Sequence, residues 1–427
     1  MEIRDLYNID YKIDTDIIER VENNSKSLKD KFDLLTPIEE YNQIKVLKAF
    51  RDNELSNTAF NWSTGYGYGD TGREVTEKIF SQVFKAEDSL VRSNIVSGTH
   101  AISIVLFSLL NYNDKIVSVT DDPYDTLQEV IGIKGDQKGN LLSKGIKYDK
   151  LDLLDGKKIQ YDKIDYDLLK DAKLIMLQRS TGYTNRKAFT IDELKKAIDK
   201  CRQYNSRAII FVDNCYGEFT ETREPIEIGA DIIAGSLIKN LGGGIALTGG
   251  YIAGRKDLIE YCANYLTAPG IGKEEGLSFG STRNILQGLY FASHTSMESV
   301  KIALLFAKTF SDYGFDVTPK LDDKRSDIVQ SIILGSREKM IDFCKGIQEA
   351  CSLDASITPI PYPMPGYQDD VIMSAGGFID GATSELSADG PIREPFTIYL
   401  QGGLNYFQGK LALMNVLQKF KNKNYID

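Results

Sequence analysis

Cysteine is scarce in this chain and does not pair up. The five cysteines, at 201, 215, 262, 344 and 351, are an odd number with no CxxC spacing, so neither a disulfide framework nor a zinc knuckle is expected. Histidine is scarcer still. With only His100 and His294 available, a His/Cys metal site is not expected and no metal is assigned. No apolar run reaches the roughly 18–20 residues that span a bilayer. The N-terminal stretch MEIRDLYNIDYKIDTD is charged throughout, and the chain reads as soluble and cytoplasmic. Basic charge is also short: 51 Lys and Arg stand against 61 Asp and Glu, a net charge of −10, with a sequence pI near 5.1. Broad binding to nucleic acid or to an anionic membrane needs a basic face. Neither partner is expected, and any phosphate has to be held locally.

What is present is the texture of an ordinary folded protein, 42% hydrophobic and 26% charged over 427 residues, long enough for two or three domains. Residues 1–60 are polar with helical heptads such as PIEEYNQIKVLKAFRDN and read as an N-terminal helical arm rather than a core. From residue 90 the short apolar runs KIVSVT (115–120), AKLIMLQ (172–178) and RAIIFVDN (207–214) alternate with helical stretches such as IDELKKAIDKCRQYN (191–205). That alternation predicts an α/β fold with a mostly parallel sheet, and ligands at the carboxyl ends of its strands. Helical runs at 298–313 and 405–422 flank a second, smaller α/β domain. The expected division is an arm at 1–60, a large domain at 61–295 and a C-terminal domain at 296–427. The Pro-rich TPIPYPMPGY (358–367) reads as an ordered loop.

The stretch GSLIKNLGGGIALTGGYIAG (235–254) holds seven glycines, a set of apolar residues and one charged side chain, Lys239. Apolar surroundings would lower the pKa of such a lysine and leave a neutral, nucleophilic amine. Its plainest chemical use is a Schiff base with a carbonyl, and the commonest carbonyl cofactor is pyridoxal phosphate. Asp213 ends an expected strand 26 residues earlier. There a carboxylate could pair with a protonated pyridine nitrogen, although alone it would read as a turn or N-cap residue. SNIVSGTHAISIVLFSLL (93–110) opens an expected helix. Backbone N–H groups around Gly98, with the Ser97 and Thr99 hydroxyls, could cradle a phosphate, and Ser97 could equally be a simple N-cap. Ser236 could add a hydroxyl. Tyr124, in DDPYDTLQEVIG, could stack on a pyridine ring and donate a proton, or be one more packed tyrosine. STGYGYGDTGRE (63–74) matches GxGxxG at Gly67–Gly72, but no credible strand precedes it, which removes the dinucleotide reading. What remains is an aromatic, glycine-rich loop carrying Tyr66 and Arg73, the latter suited to phosphate or to pairing with Glu74 or Glu77.

These segments, in this order, resemble the pyridoxal-phosphate enzymes of the aspartate aminotransferase fold, in the Cys/Met metabolism branch. STGYGYGDTGRE, IVSGTHA, PYDTLQEVIG, GSLIKN followed by GGGIA and TGGYIAG, and YLQGGLNY are most similar to the methionine γ-lyase-like proteins often labelled aluminium-resistance proteins, over about residues 55–410. The resemblance implies fold type I, with a seven-stranded central sheet in the large domain, and a homotetramer built as a dimer of dimers. It implies Lys239 as the Schiff-base lysine, Asp213 as the pyridinium partner, and Ser97, Gly98, Thr99 and Ser236 as the phosphate cradle. Tyr124 would be the stacking ring, with Tyr66 and Arg73 reaching the neighbouring subunit's cofactor phosphate. A proline is expected where Leu241 stands. The substrate carboxylate is expected on Arg393, with Arg179 as second choice. The implied activity is elimination of a thiol from cystathionine, cysteine or methionine, to a 2-oxo acid and ammonia. An aminotransferase, an aldolase, or a cofactor-binding protein with little turnover are the alternatives on the same scaffold.

Overall fold

A computed structural model describes residues 2–66, 69–136, 138–276 and 278–427. Gly67 and Tyr68, the start of the Gly67–Gly72 match, lie outside the described residues. Two sheets organise the chain. The larger is built from β1 (Asp88–Arg92), β2 (Lys115–Ser118), β3 (Lys147–Lys150), β4 (Ala172–Gln178), β5 (Ile209–Asp213), β6 (Ile232–Ser236) and β7 (Gly250–Gly254). They lie in the order β1-β7-β6-β5-β4-β2-β3. Every pairing is parallel except the two made by β7. This is the pyridoxal-phosphate-dependent fold type I. β5 and β6 are buried along their whole length and β4 at all but one position, because helices cover both faces and leave no wet side. The Ile191–Tyr204 helix begins with a capping box between Thr190 and Glu193 and turns Leu194, Ala197, Ile198 and Cys201 inward, the spacing of an amphipathic helix on a sheet.

The second sheet is antiparallel: β8 (Asp316–Thr318), β9 (Gln330–Ile333), β10 (Val371–Ala375), β11 (Ser387–Pro391) and β12 (Thr397–Gln401), in the order β10-β11-β12-β9-β8. Arg337–Gln348 and Tyr406–Asn422 form helices against it. Ser281–Asp312 is one helix of 32 residues, longer at its start than the expected 298–313. Ile285, Leu286, Leu289 and Ala292 pack into the core of the large sheet, while Met297 onward packs into the core of the small one.

The N-terminal segment requires a correction. Tyr7, Ile13, Ile17, Ile18, Val21, Leu28 and Leu35 are buried in the core of the small sheet, and Val46 and Ala49 in that of the large one. The charged residues of the segment lie mostly on its outer face. Its inner face closes apolar surface that the C-terminal domain leaves open. All five cysteines are buried and free. Among the described residues no helix is long and apolar enough to cross a membrane.

Candidate active site

Gln178, Asp213 and Ser236 end the three parallel strands β4, β5 and β6, which lie side by side in register. Their carboxyl ends open on a cavity of about 470 Å³, closed on its far side by residues of β11 and β12 and by the loop around Met364 and Tyr367. The Pro-rich 358–367 segment thus supplies part of the wall. Lys239 reaches the same cavity from the turn after β6. Its Nζ lies 3.8 Å from the centre of the Tyr216 ring.

The expectation of a neutral Lys239 is overturned. Burial works against the ammonium, but its buried surroundings, in which Asp213 is the carboxyl that can pair with it, hold its pKa well above the usual lysine value. The apolar flanks seen in the sequence do not surround the amine. They pack elsewhere: Leu241, standing where a proline was expected, is fully buried in the core of the large sheet and anchors the turn after the lysine. Burial pushes the Asp213 carboxyl up, with Lys239 and the Cys215 N–H, which donates to Asp213 Oδ1 at 3.1 Å, pulling it back down.

Ser97 caps the Gly98–Leu109 helix by accepting the His100 N–H at 3.0 Å, so the capping reading holds, and the helix N-terminus still points at the cavity that Ser97, Gly98, Thr99 and Ser236 all line. Gly98 allows a close approach, since a β-carbon there would sit 3.2 Å from Cys215 Sγ and 3.3 Å from Ser236 Cβ. The Tyr124 hydroxyl bonds Thr99 Oγ1 at 2.9 Å, and burial raises its pKa, keeping the phenol protonated.

Four expected residues lie elsewhere. Arg179 is fully buried and donates to Asn214 Oδ1 at 2.9 Å and Ser326 Oγ at 3.1 Å, with Glu221 and Glu224 beside it. It stitches the 214–224 segment and does not line the cavity, which corrects its assignment to a substrate carboxylate. Arg393 pairs with Asp369 at 2.9 Å and borders a smaller neighbouring cavity of about 170 Å³; it too is absent from the lining around Lys239. Arg73 is buried, its two terminal nitrogens donating to the carbonyls of Gly65 and Glu274. Tyr66 is 82% exposed, away from the cavity.

The sequence reading missed Tyr216 and Asp389. Tyr216 holds a left-handed backbone, φ 67°, an uncommon conformation for a bulky residue and one that clusters at functional sites; its place two residues after Cys-flanked Asn214, before Gly217, was the available signal. Asp389, on β11, is 4% exposed and lines the cavity from the small domain. The strand that carries it, Ser-Ala-Asp-Gly-Pro, has almost no β pattern, which hid it.

The family model described as methionine gamma-lyase matches residues 17–421. The chain belongs to the methionine gamma-lyase family. Within that family's range, the uncharacterized protein YnbB of Bacillus subtilis (strain 168) is 47% identical over 394 residues, 91% of this chain and 93% of that protein. The solved structure of a carbon-sulfur lyase involved in aluminum resistance, from Clostridium novyi NT, superposes with a TM-score of 0.93 at 44% identity, covering 98% of this chain and 99% of that one. The pyridoxal-5'-phosphate dependent protein YhfS of Escherichia coli shares the fold at 13% identity and a TM-score of 0.61, over 91% and 97% of the two chains. For this methionine gamma-lyase family member, the residues present fit pyridoxal phosphate: a buried carboxyl at a strand end, an amine in the same cavity, and a helix N-terminus that Gly98 brings close to Ser236.

Proposed function

We propose that the protein is a pyridoxal-phosphate-dependent carbon–sulfur lyase that removes a thiol from a sulfur amino acid by β- or γ-elimination, giving a 2-oxo acid and ammonia. The observation that carries this reading is the meeting of Lys239 and Asp213 in one cavity at the carboxyl ends of β5 and β6. Asp213 would face the ring nitrogen, Lys239 the aldehyde, and Ser97, Gly98, Thr99 and Ser236 the phosphate. When bound, the cofactor supplies an electron sink for a carbanion at the substrate α-carbon.

The chain's own groups do the rest. Lys239 Nζ, released as a neutral amine when the substrate's amine takes its place on the aldehyde, would take the α-proton as general base. Tyr124, kept protonated by burial, stands to donate its phenolic proton to the departing sulfur, with its oxygen held in place by the hydrogen bond it shares with Thr99 Oγ1. The walls from the small domain limit water around both transfers. We further propose a homotetramer arranged as a dimer of dimers, in which exposed Tyr66 serves the neighbouring subunit. Trp62, Tyr66 and Phe279 leave an apolar aromatic surface open on the isolated chain, as an interface residue set would.

The decisive measurement is 2-oxo acid release from a panel of sulfur amino acids by the holoenzyme beside Lys239→Ala. Release by the wild-type protein, falling by at least about 10³-fold in the variant, is the expected result. Equal release by both removes Lys239 from the chemistry.

A further inference from the structure

Asp389 sits in the cavity without the partners a buried carboxylate ordinarily has. Gln401 Nε2 donates to Oδ2 at 2.9 Å, while Oδ1 is buried and accepts no hydrogen bond. Burial pushes the carboxyl up to about 7, with the Tyr183 phenol and the Lys239 charge moderating the rise. A buried carboxyl held this way is fully ionised only when a cation comes beside it.

Aromatic rings surround it. Tyr183 packs against Tyr367 at 5.6 Å and against Tyr399 at 5.0 Å, centre to centre, and all three rings line the cavity with Asp389. A carboxylate among tyrosine faces is the chemistry that recognises an organic cation, by ion pairing and by cation–π attraction. The charges lining the cavity point the same way. Among the described lining residues the acids are Asp125, Asp213 and Asp389, Lys239 is the one base, and no arginine is present. Asp125 already holds Lys134 at 2.8 Å, and Asp213 faces the lysine end. Asp389 is left for a ligand.

We propose that Asp389 and the Tyr183–Tyr367–Tyr399 cluster form a subsite for a positively charged group on the substrate's side chain, so that the protein prefers amino acids whose chain ends in a protonated amine or guanidinium. This rests on the amino-acid reading above and names the substrate class within it. The cation would sit against the Asp389 carboxylate, with the reacting α-amino group at the Lys239 end.

The test uses binding of two amino acids that carry no leaving group, L-lysine and L-norleucine, to the holoenzyme by titration calorimetry. L-Lysine should bind the wild-type protein about tenfold more tightly. Asp389→Asn should abolish that preference and leave L-norleucine affinity unchanged. Tyr367→Leu, a change at a half-buried loop residue, should reduce the preference in the same selective way, which keeps the test sound if the buried variant misfolds. Equal binding of the two ligands to the wild-type protein overturns the subsite while leaving the amino-acid site intact. Binding of neither overturns both. A preference for lysine that survives Asp389→Asn in a folded variant also overturns the assignment.

Discussion

At the scale of single residues, the cavity sets three acids, Asp125, Asp213 and Asp389, around one amine, and a further buried acid lies close by. Glu218 accepts the Tyr251 hydroxyl on Oε1 at 2.8 Å, leaves Oε2 unpartnered, and is pushed up to about 8 by burial. Its carboxyl is therefore protonated in the folded protein and ionised in the unfolded one between about pH 4.5 and 8. The folded state holds one more proton in that window, so this group's stabilising contribution is complete below pH 4.5 and is lost as pH rises through 8. Glu218→Gln copies the neutral acid without the titration. In denaturant titrations from pH 5 to 8, the stability difference should move in the variant's favour by about 1.4 kcal/mol per pH unit. A flat difference would mean Glu218 is ionised when folded. Lys239 teaches a related lesson. The flanking sequence promised a desolvated neutral amine, yet Tyr216, Asp213, Cys215 and Tyr124, which surround it, come from other segments. Local sequence identified the residue but not its electrostatic surroundings.

At the scale of elements, the seven glycines around Lys239 are explained by packing. The turn Asn240–Gly242 lies against the Ser281–Asp312 helix, and a β-carbon on Gly288 would run into the carbonyl of Gly242, as one on Gly243 would into that of Gly288. Two backbones meet there with no room for a side chain. In an exposed helix, Gly→Ala stabilises by about 1 kcal/mol. Here the overlap with rigid backbone should win, because overpacking costs about 1–3 kcal/mol. Gly288→Ala should therefore lower the unfolding free energy and reduce lyase activity by shifting the lysine turn, both read on one preparation by denaturant titration and turnover. A more stable, fully active variant would show the contact to be looser than described. The same elements show why reading the sequence worked unevenly. The strand at 172–178 and the helix at 191–204 agree with the sequence pattern to within a residue, since both carry clean periodicity. β7 hides inside the glycine-rich run and β6 ends in it, where small residues at strand positions weaken any β pattern. β11, reading Ser-Ala-Asp-Gly-Pro, has almost no strand propensity and is held by its neighbours; Asp389 went unnoticed with it.

At the scale of the whole molecule, the long-range assembly was the least legible. The N-terminal segment looked like a detached arm because half its surface is polar, and only its partner, the C-terminal core, reveals the buried half. The same blindness applies beyond one chain. Tyr66 is far from the chain's own cavity, yet it projects from an aromatic surface with Trp62 and Phe279. If that surface meets a second copy, each active site combines Lys239 of one chain with Tyr66 of another. Light scattering should then give four times the 47.8 kDa chain mass. A sharper test mixes two defective proteins, Lys239→Ala and Tyr66→Ala, by unfolding them together and refolding. Each alone should be nearly inactive. Random pairing within an isologous dimer leaves one intact site in each mixed dimer, so activity should recover to about a quarter of wild type. Recovery requires that the two residues act across the interface, because a site contained in one chain stays broken in every combination. Mixed oligomers that form but recover nothing would confine Tyr66 to its own subunit and leave the catalytic cavity complete without a partner.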